Sequence, residues 1–103
     1  MRSRATMESA LHVAPDHPAY AGHFPGRPIL PGVVLLAEVM QAVERATGRG
    51  AERWSLANAK FLQPVAPGTP LTLAQVASDS GSVRFEVRAG ESVVASGMLA
   101  PRD

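Results

Sequence analysis

The segment from Pro31 to Thr47 is apolar in too many directions for an ordinary surface helix, and this constrains the fold more than any other feature. A helix with one apolar stripe needs a single covering layer, whereas this one needs cover on most of its sides. Gly48 then offers a left-handed C-terminal cap, so we predict a helix from about Pro31 to Thr47. Its apolar positions are Val33, Val34, Leu35, Leu36, Val39, Met40, Ala42, Val43 and Ala46.

Segments with strand character lie before and after this helix and predict the layer that covers it. We predict strands over residues 5–14, 54–65, 71–76, 83–87 and 92–100. In the fourth of them Val83, Phe85 and Val87 alternate with charged residues, which is typical of a strand with one face in water. Short turns join the later strands, so neighbouring strands should run antiparallel. The sequence therefore predicts an α+β fold, with an antiparallel sheet wrapped on one helix in a single domain of residues 1–103.

The loop that leads into the helix carries a histidine between residues that stiffen the backbone. His23 is followed by Pro25, Gly26, Pro28 and Pro31. Proline fixes φ and glycine supplies conformations that other residues avoid, so the loop presents its side chains in a set geometry. This pattern predicts a binding or catalytic site just before the helix.

Composition narrows the classes of function. The net charge is +1 from ten basic and nine acidic residues, without a basic block, which gives nucleic-acid binding little support. Cysteine is absent, which excludes disulfides, a thiol nucleophile and a cysteine metal site. The N-terminal residues MRSRATMES lack the apolar core of a secretion signal, and no apolar run is long enough to span a bilayer. We therefore expect a cytoplasmic protein without a membrane span.

Two longer motifs carry a resemblance to a known family. The segments GHFPGRPILPGVVLL and NAKFLQPVAPGTPL, together with Gln41, resemble the β-hydroxyacyl-acyl-carrier-protein dehydratases of type II fatty acid synthesis. The chain is also similar to short dehydratase-like proteins of aryl-polyene and related pigment pathways. The likeness extends from about Pro15 to Ala100. It implies the hotdog fold, in which a curved antiparallel sheet wraps around a long central helix, and an active unit that is at least a dimer with sites shared between subunits.

The resemblance also implies a reaction and a partner. The reaction is the reversible dehydration of a 3-hydroxyacyl thioester, carried as acyl-phosphopantetheine on an acyl carrier protein, without a cofactor. His23 corresponds to the family's catalytic histidine, a suitable base near neutral pH. The amide of Gly32, with Val33 beside it, corresponds to the group that holds the thioester oxygen. Unpaired N–H groups at the positive end of the helix dipole suit that task.

The sequence differs from the family's pattern at the position of the family's carboxylate. That position is Ala37 here, while a carboxylate stands at the next residue, Glu38. One residue along a helix is a turn of about 100°. We therefore predict Glu38 as the acid on the hypothesis that a local shift in helix phase turns it towards the site. Gln41 falls where the family has its glutamine, and Tyr20 aligns with an aromatic residue of the substrate tunnel.

Other interpretations stay open beside the lyase. Ala37 also fits a catalytically silent hotdog subunit that binds acyl-carrier cargo or pairs with an active partner, and a hotdog thioesterase is a further alternative. A metal site has little support, because the spacing of His12, Asp16 and His17 fits no standard site. Scattered arginines are usually solvated, but a set of them also suits an acidic carrier protein or its phosphate: Arg27, Arg45, Arg49 and Arg53. Apolar residues expected in the core, some lining an acyl tunnel, are Leu30, Leu36, Met40, Phe61 and Phe85.

Overall fold

A computed structural model of the chain describes residues 6–11, 13, 30–66 and 68–102. In this part of the chain the elements are β1 (Thr6–Leu11), α1 (Gly32–Thr47), β2 (Trp54–Phe61), β3 (Leu71–Ala77), β4 (Val83–Ala89) and β5 (Ser92–Pro101). A short 3₁₀ helix, Ala51–Arg53, lies between α1 and β2.

The strands form one five-stranded sheet in the order β1-β3-β4-β5-β2. Every neighbouring pair is antiparallel. Strands β1 and β2 lie at opposite edges of the sheet, and α1 lies between them in sequence, so the chain passes from one edge to the other by way of the helix. The prediction of an α+β fold with one antiparallel sheet is confirmed.

The bounds of α1 follow from its two end residues. Pro31 precedes the helix with φ −61° and ψ 141°, a φ that its ring imposes. Gly48 ends the helix in the left-handed region at φ 75°, and its N–H donates to the carbonyl of Glu44 at 2.8 Å. Glycine adopts this conformation without the strain that a β-carbon would cause, so Gly48 ends the helix where the sequence predicts.

The core lies between one face of α1 and the inner face of the sheet. The helix contributes Leu35, Val39, Ala42 and Val43. Alternate residues of β3 and β4 meet them, and the side chain of Phe85 is only 1% exposed. The rest of the helix has less cover than the sequence predicts, since Val33 is 74% exposed.

Two details of β2 and one core prediction need correction. The strand ends at Phe61 and not near residue 65, because the N–H groups of Leu62 and Gln63 both turn to the carbonyl of Val94, and Pro64 has no N–H to donate. Phe61 is 51% exposed and is not a core residue. Leu30 and Phe85 are buried as predicted, whereas Leu36 and Met40 are half-buried.

Candidate active site

The start of α1 presents backbone donors without a side chain that competes for them. The first helical N–H groups have no acceptor within a helix. Here the backbone bonds begin with Val34 and Leu35, which donate to the carbonyl of Pro31 at 3.0 and 3.3 Å. Among the described residues, no side chain caps this end and no acidic residue lies in the first turn. Within the described ranges, nothing competes with an oxyanion for the positive end of the helix dipole at Gly32 and Val33.

A cavity of about 420 Å³ lies beside this helix start. Its lining is mainly apolar and includes Leu30, Gly32, Leu35, Phe61, Leu62 and Val65. We call it the helix-start cavity. The N–H of Leu30 donates to the carbonyl of Val65 at 2.8 Å, which fixes the entry to the helix against the segment that follows β2. An apolar cavity next to two amide donors suits a ligand that joins a carbonyl group to a hydrocarbon chain.

Gly32 and Phe61 are in direct contact. A β-carbon at position 32 would lie 2.8 Å from Cζ and 2.9 Å from Cε1 of Phe61, closer than real β-carbons come to such atoms. Glycine is therefore required here by a close approach, and not by a positive φ. The aromatic ring rests against the bare Cα at the first residue of the helix.

The predicted helix residues fall on different sides of α1. Val33, Ala37 and Gln41 succeed one another at intervals of four and are all exposed, so they form one row, which we call the outward helix row. Glu38 lies about 100° away from Ala37 and is half-buried beside the core stripe. The helix is α-helical from Gly32 to Thr47, so it contains no local phase shift that would bring Glu38 onto that row.

Several predicted residues fall outside the part of the chain that the structure describes. These are His23 and Tyr20 of the predicted site, the discarded metal residues His12, Asp16 and His17, and Arg27. Their roles stay predictions. Within residues 6–11, 30–66 and 68–102, no three His, Cys, Asp or Glu side chains lie close enough together to hold a metal ion. The same part of the chain has no helix long and apolar enough to cross a membrane.

Leu62 is the site residue that sequence reasoning missed, whereas Phe61 stood among the apolar residues expected in the core, some of them lining an acyl tunnel. Phe61 and Leu62 are 51% and 55% exposed and both line the helix-start cavity. Two successive large apolar residues are the signal that was available. Because side chains alternate along a strand, such a pair cannot both face one core.

Comparisons with known proteins identify the family. A family model described as ApeI-like, ApeI dehydratase, matches residues 1–98. The 3-hydroxyacyl-[acyl-carrier-protein] dehydratase FabZ of Chlamydia trachomatis serovar L2 is 36% identical over 101 residues, covering 85% of this chain and 66% of that protein. FabZ of Chlamydia abortus is 31% identical and the match covers 93% of this chain and 71% of that protein. The chain thus spans about two thirds of the length of these relatives.

Solved structures agree on the fold. A protein from Erwinia carotovora subsp. atroseptica superposes with a TM-score of 0.74 at 30% identity, over 99% of this chain and 86% of that one. The dehydratase heterocomplex ApeI:P from Xenorhabdus doucetiae gives a TM-score of 0.72 at 23% identity, over 98% and 90% of the two chains. These matches, with the antiparallel sheet and the long helix, show the hotdog fold, and the family model over residues 1–98 shows that the chain belongs to the ApeI-like dehydratase family.

Proposed function

We propose that residues 1–103 form one hotdog domain that acts as a hydro-lyase, dehydrating 3-hydroxyacyl thioesters in fatty acid or polyene-type biosynthesis. The observation that carries the proposal is the start of α1 at Gly32, which no side chain of the described residues caps and which lies directly beside an apolar cavity. Membership of the ApeI-like family and the similarity to FabZ support it.

The chemistry follows from these positions and from the motif residues. His23 takes a proton from the carbon next to the thioester carbonyl, and the negative charge collects on the carbonyl oxygen. The amide N–H of Gly32 donates to that oxygen as its charge grows, with Val33 beside it. The hydroxyl on the next carbon receives a proton from Glu38 and leaves as water, so a double bond forms between the two carbons. Gln41 and Tyr20 complete the substrate-binding residues.

Hydration of a crotonyl thioester, followed by the loss of enoyl absorbance, tests this proposal in the reverse direction. We expect His23→Ala to lower the rate about a hundredfold or more, since a positioned general base contributes at least that much. Glu38→Gln should lower it by a similar factor. Glu44→Gln is the matched control, because Glu44 is another half-buried carboxylate on the same helix.

The outcomes separate three functions. Turnover that survives His23→Ala would refute the lyase mechanism, and full activity in Glu38→Gln would remove Glu38 from it. Release of a free thiol from an acyl thioester would identify a thioesterase instead. Absence of turnover with retained binding of a thioester would identify a silent subunit.

The silent subunit is the second candidate, and the side chain at position 37 favours it. Ala37 occupies the position where the resemblance requires a carboxylate, and it lies exposed on the outward helix row. A subunit of this kind binds acyl-carrier cargo or completes the site of an active partner. In that case Ala37→Glu should introduce activity that the unaltered chain lacks.

We propose that the active unit contains two protomers, as the family resemblance implies. Strand β2 lies at the edge of the sheet and, within the described residues, pairs only with β5. A large apolar side chain on this strand, Leu56, is 45% exposed. Such an edge is a template for pairing with another chain. The Xenorhabdus heterocomplex makes a different subunit a second option, and sedimentation of the isolated chain distinguishes self-association from a requirement for a partner.

We propose an acyl carrier protein as the substrate donor, in the cytoplasm. Arg45, Arg49 and Arg53 are exposed at the far end of α1 and in the turn after it. Arg102 joins them, because its N–H donates to the carbonyl of Arg53 at 2.7 Å. A 16-residue helix is about 24 Å long, so this cationic end lies well away from Gly32 of the same chain. Loss of carrier-bound turnover with retained turnover of a pantetheine thioester, on reversing these charges, would identify the docking surface.

A further inference from the structure

The geometry points to Phe61 as the residue that limits the length of the acyl chain bound in the helix-start cavity. This inference rests on the proposed function, since it takes the ligand to be an acyl thioester whose carbonyl lies at the Gly32 amide. Phe61 lies in the second motif, and the inference gives this one residue a stated effect, on the length of the bound chain, that the resemblance does not assign to it.

The position of the ring carries the first step. Phe61 is the last residue of β2, and three atoms of its ring crowd the place where Gly32 would carry a β-carbon, the nearest at 2.8 Å. Gly32 is also the first residue of α1. A hydrocarbon chain that extends from a carbonyl at this amide into the cavity therefore meets the ring close to the thioester.

The exposure of the ring carries the second step. Phe85 is 1% exposed and belongs to the core, whereas Phe61 is 51% exposed and touches the protein on one side. A core ring is held by neighbours on all sides and its loss collapses packing. Phe61 is a wall of the cavity, so its removal enlarges the space beside Gly32 and leaves the core between α1 and the sheet intact.

The neighbouring residue supplies a matched control. Leu62 is 55% exposed, lines the same cavity and follows Phe61 directly. It is not among the atoms nearest to the β-carbon position of Gly32, which all belong to Phe61. Truncating Leu62 removes a similar amount of exposed apolar surface without opening the space beside the amide.

The test measures binding and not turnover. S-butyl- and S-octyl-pantetheine, which carry no reactive carbonyl, are titrated calorimetrically into the unaltered chain, Phe61→Ala, Phe61→Leu and Leu62→Ala. Each methylene that gains a buried place strengthens binding about fourfold. We therefore expect Phe61→Ala to shift the octyl-to-butyl affinity ratio by about tenfold or more towards octyl, Phe61→Leu to shift it less, and Leu62→Ala to leave it within about twofold.

An unchanged ratio in Phe61→Ala, an equal shift in Leu62→Ala, or binding of neither probe would overturn the inference. The hydration assay reports separately on catalysis. A shifted ratio in a chain that hydrates no enoyl thioester supports the role of Phe61 and refutes the lyase. A chain that hydrates crotonyl thioester with an unshifted ratio supports the lyase and overturns the role of Phe61.

Discussion

The contact between Gly32 and Phe61 predicts that the two residues are energetically coupled. In Gly32→Ala the new β-carbon would lie 2.8 Å from Cζ of Phe61, so the ring has to move. An aromatic side chain has about 200 Å² of surface, and Phe61 is 51% exposed, so its neighbours together cover about 100 Å² of it. At about 25 cal/mol per Å², displacing the ring fully costs about 2.5 kcal/mol.

The same substitution has an opposite, smaller effect on the helix. Alanine is more favourable than glycine in a helix by about 0.5 to 1 kcal/mol, and position 32 carries no positive φ that would oppose it. In the chain that keeps Phe61, the cost of about 2.5 kcal/mol for displacing the ring exceeds the gain in helix propensity. Gly32→Ala should therefore destabilise that chain by about 1.5 to 2 kcal/mol. In a Phe61→Ala background no ring blocks the β-carbon, and the same change should stabilise by up to about 1 kcal/mol.

The sole tryptophan, Trp54, provides the assay. It is 4% exposed at the start of β2, so its emission should change when the sheet unfolds. The unaltered chain, Gly32→Ala, Phe61→Ala and the double variant form a double-mutant cycle, and urea unfolding of these four proteins gives the coupling free energy. All four are measured at one protein concentration, because association shifts the apparent stability. We expect about 2 to 3 kcal/mol, and two effects that add within about 0.5 kcal/mol would refute the contact as described.

Two further predictions concern glycines outside the site. In Gly97→Ala the β-carbon would overlap the carbonyl oxygen of Asn58 and lie 2.6 Å from Cζ of Phe85. We expect the free energy of unfolding in a urea titration to fall by about 2 kcal/mol or more. The control, Ser96→Ala, should change it by less than about 0.5 kcal/mol. In Gly48→Ala nothing clashes within 4 Å, but φ of 75° places alanine in the left-handed region, so a loss of about 1 kcal/mol in thermal unfolding is expected; an unchanged midpoint would show that the helix ends differently.

Local signals predicted the helix and most of the strands. Pro31 and Gly48 set the two ends of α1 through their own backbone φ values. In β4, buried Val83, Phe85 and Val87 alternate with more exposed residues. These features depend on residues that are close in sequence, so reading along the chain is enough. The role of the helix start at Gly32, by contrast, came from the family resemblance and not from these local signals.

Features that depend on distant contacts were not predictable in this way. The strand order and the bulge in β2 between Leu56 and Asn58 arise from pairing with β5, about 40 residues further along. The contact of the Phe61 ring with Gly32 brings the end of one edge strand against the start of the helix. The sequence alone shows only that Phe61 is an apolar residue in a strand. Phe61 was therefore grouped with the apolar residues expected in the core, some of them lining an acyl tunnel, and its contact with Gly32 was not predicted.

The regular geometry of α1 sharpens the question of the missing carboxylate. The outward helix row of Val33, Ala37 and Gln41 faces away from the core of its own chain, so a carboxylate at position 37 would act across an interface. Because α1 is regular, Glu38 lies about 100° around the helix from Ala37, towards the core stripe. Glu38 therefore reaches a partner or the substrate only if that molecule approaches α1 from the side of the core stripe. A lyase that uses Glu38 as its acid thus requires a protomer arrangement set by Glu38, whereas a silent subunit keeps the interface at Ala37 and leaves the carboxylate to its partner. The side of α1 that the partner covers therefore decides between the two functions.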